Sequence, residues 1–120
     1  MNSVIPFLWF KTQAEEAARF YSATFPRAKF GEIQRFPPGG RGAEGSVMTA
    51  SFELAGQAVV ALNGNEWHKF SPASSLLFFC NDSAEAEAVI TKLADGGERQ
   101  PGGWLRDRFG VSWQIMVRQG

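Results

Sequence analysis

The chain reads as an α+β protein made of two copies of one β-α-β-β-β module. Three features predict this. With a shift of about seventy residues, "VIPFLWFKTQAEEAARFYSATFP" lies over "SSLLFFCNDSAEAEAVITKLADGG". Both copies pass from an apolar, strand-like stretch into a helix that opens on a capping-box pair, Thr12 with Glu15 and Asp82 with Glu85. The segments that follow each helix then change to strand patterns, most clearly where apolar residues alternate with period two, as strands with one covered face do.

Taken in order, the first strand falls within "VIPFLWF", and the first helix runs from the Thr12 cap to Pro26, which cannot continue it. In the overlay Ala14 falls on Ala84, Ala18 on Ala88 and Phe20 on Ile90. "KFGEIQRF" is a strand, and "PPGGRGAEG", Pro37 to Gly45, is a long, mobile hairpin connection. From Val47 to Leu54, Met48, Ala50, Phe52 and Leu54 take one face, and Val47, Thr49, Ser51 and Glu53 the other. A turn at Ala55-Gly56 leads into a strand through Leu62. Asn63 to Ser74 is a polar linker between the halves. The second copy repeats the order with "SSLLFFC", a helix from Asp82 that stops at Gly96-Gly97, and strands near Glu98–Gln100, Gly103–Arg106 and Val111–Val117. At 120 residues the chain is one domain, with modules at about 1–64 and 73–120. Phe7, Trp9, Phe20, Phe25 and Phe79 are expected in the core.

Composition excludes several classes of function. Twelve basic residues balance twelve acidic ones and no Lys/Arg-rich run occurs, so the electrostatic footprint of a nucleic-acid binder is missing. The start, "MNSVIPFLWFKTQ", has neither the basic region nor the cleavage site of a signal peptide, and its apolar run is too short to span a membrane. One cysteine, Cys80, cannot form an internal disulfide, which fits a reducing, cytoplasmic setting. It ends an apolar strand and reads as an inert core thiol. Eleven Phe and four Trp must line a dense core or an aromatic pocket.

Gly40, Gly42 and Gly45 formally spell G-x-G-x-x-G, but two prolines precede them and an alternating strand follows. A dinucleotide site needs a strand before and a helix after, so this is a loop. The same absence of a glycine-rich strand-to-helix turn argues against a self-contained S-adenosylmethionine site. His68, the single histidine, reads as a solvated or capping linker side chain, or as a general acid or base. With one histidine so placed, no Ser/His/Asp or Cys/His constellation can be assembled, and no catalytic residue is assigned.

The stretches "IPFLWFKTQAEEAARFYSATFP", "HKFSPASSL" and "GGWLRDRFGVSWQI" resemble the PhnB-like branch of the vicinal oxygen chelate superfamily, the group of glyoxalase I, bleomycin-resistance proteins and extradiol dioxygenases. The resemblance runs from Ile5 to Ile115. The branch is often labelled 3-demethylubiquinone-9 3-methyltransferase-like. It implies paired βαβββ modules forming an open curved sheet or barrel around a cavity, with the helices outside, and a homodimer. In metal-dependent members, ligands project from the first and last strands of the modules, and the ion binds two neighbouring oxygens of the substrate.

Many members end with an acidic residue four positions after a turn glycine. Here the glycine is Gly110 and the residue is Gln114, a neutral amide and a much weaker donor than a carboxylate. The resemblance places the other ligand positions at Pro6, give or take one residue, at Leu76, and among Val60, Ala61 and Leu62. None carries a donor, so neither a metal nor another cofactor is expected. Parity sets Gln114 beside Ser112 and Met116, with Trp113, Ile115 and Val117 toward the helices. If Leu105 opposes Trp113, then Trp104 and Arg106 join Gln114, a ring, a cation and an amide suited to an anionic or oxygen-rich ligand. The plainer alternative makes Arg106 a surface charge and Trp104 an interface residue. The expected ligand-binding set is therefore Gln114, Trp104, Arg106, Ser112, Met116 and His68. The function expected is binding of a small molecule in the sheet cavity. The alternatives are a metal-dependent lyase, isomerase or dioxygenase, and a methyltransferase.

Overall fold

A strand with alternating apolar residues presents two different faces, and a helix can cover only one of them. The computed structural model, which describes residues 3–65 and 67–118, follows this rule twice. In chain order the elements are β1 (Phe7–Phe10), α1 (Ala14–Thr24), β2 (Ala28–Arg35), β3 (Val47–Leu54), β4 (Gln57–Asn63), β5 (Ser75–Cys80), α2 (Ser83–Leu93), β6 (Glu98–Arg99), β7 (Trp104–Arg106) and β8 (Ser112–Val117). The chain divides into two units, Met1–His68 and Lys69–Gly120. Among the described residues each holds one α-helix and one open, four-stranded mixed sheet, ordered β1-β4-β3-β2 in the first and β5-β8-β7-β6 in the second. The leading strand of each unit pairs parallel with the last, and the remaining pairs are antiparallel. The sequence repeat is thus a repeat of topology.

In the first unit α1 buries Ala14, Ala17, Ala18 and Tyr21 against the sheet. The spacing of three and four puts them on one face, and three alanines let the helix approach closely. They meet Leu8, Phe10, Ala50, Phe52, Val59 and Ala61, all buried, with the Tyr21 ring tilted on Phe52 at 5.6 Å between centroids. β3 and β4 are joined at Ala55-Gly56, where φ is 51° and 85°, the left-handed pair of a two-residue hairpin turn.

The first helix is not capped by Thr12. Gln13 precedes it and makes no side-chain cap bond. Instead Asn63, at the end of β4, accepts from the Ala14 amide through Oδ1 at 2.8 Å, while its Nδ2 donates to the Val47 carbonyl at 3.1 Å. One side chain therefore ties the helix start to β3, a capping role worth about 1 kcal/mol. In the second unit the expected pair holds: Asp82 accepts from the Glu85 amide at 2.8 Å, and Glu85 accepts from the Asn81 amide at 3.0 Å.

The difference has a simple origin. Three residues separate β1 from α1, but only Asn81 and Asp82 separate β5 from α2. The strands keep one offset, with Leu8 on Phe78 and Phe10 on Cys80, all buried. The helices keep an offset one residue shorter, with Ala17 on Ala86 and Tyr21 on Ile90. The overlay of Ala14 on Ala84, Ala18 on Ala88 and Phe20 on Ile90 is corrected accordingly.

The second unit packs Ala86, Val89, Ile90 and Leu93 of α2 with buried Phe78, Cys80, Leu105, Trp113 and Ile115. Arg99 grips Glu87 through two bonds of 2.9 Å, joining β6 to α2. That hydrogen-bonded guanidinium holds the Glu87 carboxyl below its ordinary range, so this exposed contact loosens only as pH falls through the lowered value.

Two expected core residues lie elsewhere. Phe25 is buried, whereas Phe7 is 60% and Phe79 40% exposed. Each alternates with residues that face a helix, which turns it to the open side of its sheet. Trp9 and Phe20 are half-buried. No helix among the described residues is long and apolar enough to cross a membrane.

Candidate functional site

Strand β8 sends Trp113 and Ile115 into the core and Ser112, Gln114 and Met116 to the opposite face. Registration extends that face sideways. Gln114 pairs with Leu77 of β5 on one side and Trp104 of β7 on the other, Met116 pairs with Phe79, and Ser112 pairs with Arg106. Five of the six expected residues, Gln114, Trp104, Arg106, Ser112 and Met116, therefore share the open face of one sheet. His68 belongs to the first unit, edge-on to Trp9 with ring centroids 4.8 Å apart.

Leu77, Phe79, Trp104 and Met116 are exposed around Gln114, so a neutral amide stands amid hydrocarbon and ring. Arg106 is already opposed, by Glu98 at 3.5 Å, although both are more than half exposed and the attraction is weak. Arg118 lies over the Phe79 ring, 4.9 Å from its centroid.

What holds Gln114 in this parity is Asp107, a residue the sequence reading passed over. Asp107 is 2% exposed. Its Oδ1 accepts from the amides of Phe109 and Val111 at 2.9 and 3.0 Å, and its Oδ2 accepts from the Trp113 indole at 2.9 Å. The Asp107 and Gly110 amides close the same turn onto the carbonyls of Val111 and Asp107. Gly110, at φ 93°, supplies the left-handed residue. The signal was present as an aspartate three residues before a turn glycine, with an indole six residues on.

In each sheet taken by itself, the open-face positions expected to ligate a divalent ion carry no side-chain donor other than Gln114. On the open faces the first-strand positions are Phe7 and Leu77, each one residue beyond Pro6 and Leu76, and β4 offers Val60 and Leu62. The Pro6 carbonyl is taken by the Val60 amide at 3.1 Å, and Leu76 is paired with Trp113 on the helix side. These side chains have no lone pairs, while such an ion normally takes three or more protein donors. Among the described residues no group of three or more His, Cys, Asp or Glu is placed to hold a metal. Cys80 is fully buried on the helix side.

A second concave feature lies within the first unit. A cavity of about 780 Å³ opens beyond the ends of β1 and β4, lined among others by Trp9, Lys11, Phe36, Arg41 and Leu62. The loop expected to be only a mobile connection forms one of its walls. Bonds from the Phe36 amide to the Ser46 carbonyl (2.9 Å) and from the Gly45 amide to the Phe36 carbonyl (3.0 Å) close the base of that loop.

Known proteins place this architecture. The family model described as 3-demethylubiquinone-9 3-methyltransferase matches residues 2–116. No curated protein matches the chain. A PhnB protein from Bacillus cereus is 34% identical, with a TM-score of 0.83 over 98% of this chain and 100% of its own. A glyoxylase/bleomycin resistance protein/dioxygenase domain from Frankia sp. EAN1pec shares the fold at 15% identity and a TM-score of 0.62, covering 99% of this chain and 98% of that one. So does the fosfomycin resistance protein FosX from Listeria monocytogenes, complexed with Mn(II) and sulfate, at 14% identity, a TM-score of 0.68, and coverage of 98% and 90%. With the doubled βαβββ topology and a match along almost its whole length, the chain belongs to the 3-demethylubiquinone-9 3-methyltransferase-like, PhnB-like family.

Proposed function

We propose that this protein is a cytoplasmic small-molecule-binding member of the vicinal oxygen chelate superfamily that works without a catalytic metal and uses the open face around Gln114. The observation that carries this reading is the register of Gln114 between Leu77 and Trp104, with Phe79 and Met116 beside it. An amide offers one acceptor and two donors without charge, so it can orient a carbonyl or hydroxyl on an apolar surface. A carboxylate at the same position would need a counter-charge, and Arg106 is already engaged by Glu98. Ser112 lies beside Arg106 on that face, and Trp104 supplies a ring on which a flat ligand can rest. The exposed apolar residues also favour a homodimer, since pairing would remove them from water.

The competing reading is a metal-dependent enzyme, favoured by the Mn(II) that FosX carries on the same fold and by the oxygen Gln114 could lend. Metal analysis and thermal shift with manganese, nickel, zinc and iron separate the two. The expected result is substoichiometric metal and no saturable rise in Tm. Stoichiometric metal, or stabilisation by one ion that Gln114→Ala abolishes, decides for the enzyme. For a small molecule that copurifies and is identified by mass spectrometry, Gln114→Ala should weaken binding roughly fivefold, the loss of one hydrogen bond. Light scattering on the same sample should report a dimer.

A further inference from the structure

Two aromatic side chains line the first-unit cavity, Trp9 from β1 and Phe36 from the loop after β2, and each is seated on a glycine. The Trp9 ring lies so close over Gly64 that a Cβ there would overlap it. Its indole donates to the Asn65 carbonyl at 2.9 Å, and His68 abuts it edge-on. Phe36 lies over Gly42 in the same way, and a Cβ there would enter its ring. This accounts for the middle glycine of Gly40-x-Gly42-x-x-Gly45: it seats an aromatic ring rather than a phosphate. The loop is drawn in further by Arg35, which donates to the Gly45 carbonyl at 3.0 Å. Rings held in this way have little freedom left to lose when a ligand meets them, which favours binding.

Most polar side chains on the described lining are already engaged. Asn63 accepts from the Ala14 amide and donates to the Val47 carbonyl. The Ser46 hydroxyl donates to the Ala43 carbonyl at 2.6 Å, and the Asn65 side chain accepts from the Trp67 amide at 2.9 Å. Lys11 has an interaction partner of its own. Thr12 and Arg41 are exposed, so water serves their polar ends and screens the guanidinium charge. What the lining offers a ligand is therefore ring and hydrocarbon, the two aromatics together with Val47, Met48 and Leu62. At about 780 Å³ the space falls within the range of cavities that enclose whole small ligands. A charged ligand would lose its water here without gaining a dedicated partner. A planar, uncharged aromatic body loses little and can stack on the held rings, a gain beyond the burial of its area.

We infer that the first-unit cavity is a binding site for planar, uncharged aromatic molecules, held chiefly by Trp9 and Phe36. Every residue it uses belongs to the first unit, so the assignment does not depend on the reading of Gln114.

The test uses the full chain with isotope-labelled indoles, the Trp9 signal assigned through Trp9→Phe, and three probes: naphthamide, its saturated counterpart decahydronaphthamide, and naphthoate. The saturated probe keeps the amide and the apolar bulk but has no ring face, so burial alone would not rank it below naphthamide. Naphthamide should move the Trp9 indole signal saturably and bind about three- to tenfold more tightly than decahydronaphthamide, the gain of stacking. Naphthoate should bind no more tightly than naphthamide. Phe36→Leu keeps a half-buried apolar side chain on a loop and should fold normally. It should weaken naphthamide roughly threefold and leave decahydronaphthamide unchanged. Gln114→Ala should change neither. Decahydronaphthamide binding as tightly as naphthamide would overturn the assignment, as would a Trp9 signal that no probe moves. Tighter binding of naphthoate would make charge, not the ring, the selected feature. Loss of naphthamide affinity in Gln114→Ala would remove the site from this unit.

Discussion

Asp107→Ala should lower the free energy of unfolding by about 3–5 kcal/mol, a severe loss for one side chain. Asp107 is buried and accepts three bonds of 2.9–3.0 Å, from the Phe109 and Val111 amides and the Trp113 indole. Removing its oxygens leaves the Val111 amide and the indole unsatisfied in the core, at roughly 1–3 kcal/mol each, and adds a cavity where the carboxyl stood. Asp107→Asn separates these effects. The amide keeps one oxygen, but its NH2 must face either the two backbone donors or the indole, so about half the loss should remain. A double-mutant cycle with Trp113→Phe isolates the indole bond, which should couple by about 1–2 kcal/mol. Urea denaturation of the wild type, the three single variants and the double variant reads all of this. A loss below about 1 kcal/mol for Asp107→Ala would mean that the turn holds itself without the carboxyl.

The same turn shows how far the sequence could be read. The face shared by Gln114, Trp104, Arg106, Ser112 and Met116 was legible because β7 and β8 are short, regular and meet without a bulge, so parity carries across. Parity failed where a run is apolar throughout. "FLWF" has no polar residue to mark the open side and "SLLFFC" has only Ser75 at its first position, so a reading by apolar character puts Phe7 and Phe79 in the core although only their neighbours face a helix. The first helix cap was out of reach for another reason. Its acceptor is Asn63, 49 residues away, and local cap rules look three residues ahead. The cavity of the first unit was hidden too. Its shape depends on Trp9 lying over Gly64 and Phe36 over Gly42, and only the second pair is near in sequence. The loop glycines were recognised as a non-dinucleotide motif, but their use as ring seats needs coordinates. Arg106 was legible as a cation on the right face, while its partner Glu98 lies across the β6–β7 pairing.

Gly103→Ala should cost about 3–4 kcal/mol, and its neighbour Gly102→Ala only about 1 kcal/mol. The two glycines share the left-handed region, at φ 82° and 75°, so both substitutions carry the strain of placing a Cβ there. Their surroundings differ. A Cβ on Gly102 would meet only the edge of the Trp104 ring at 3.8 Å, an ordinary contact. A Cβ on Gly103 would overlap the carbonyl oxygen of Ile115. That oxygen belongs to β8, a strand paired on both sides, with β5 and β7, so it cannot swing away as a flexible side chain would. Relief must come from β7, whose first residue is Trp104, the register partner of Gln114. The substitution should therefore loosen the β7–β8 edge and move Trp104 off Gln114, changing the emission of that exposed indole. In Gly102→Ala the emission should stay the same. Urea denaturation gives the energies and fluorescence the displacement. Equal losses for the two variants would show that left-handed strain alone sets the cost, and that β8 yields where its pairing predicts it should hold.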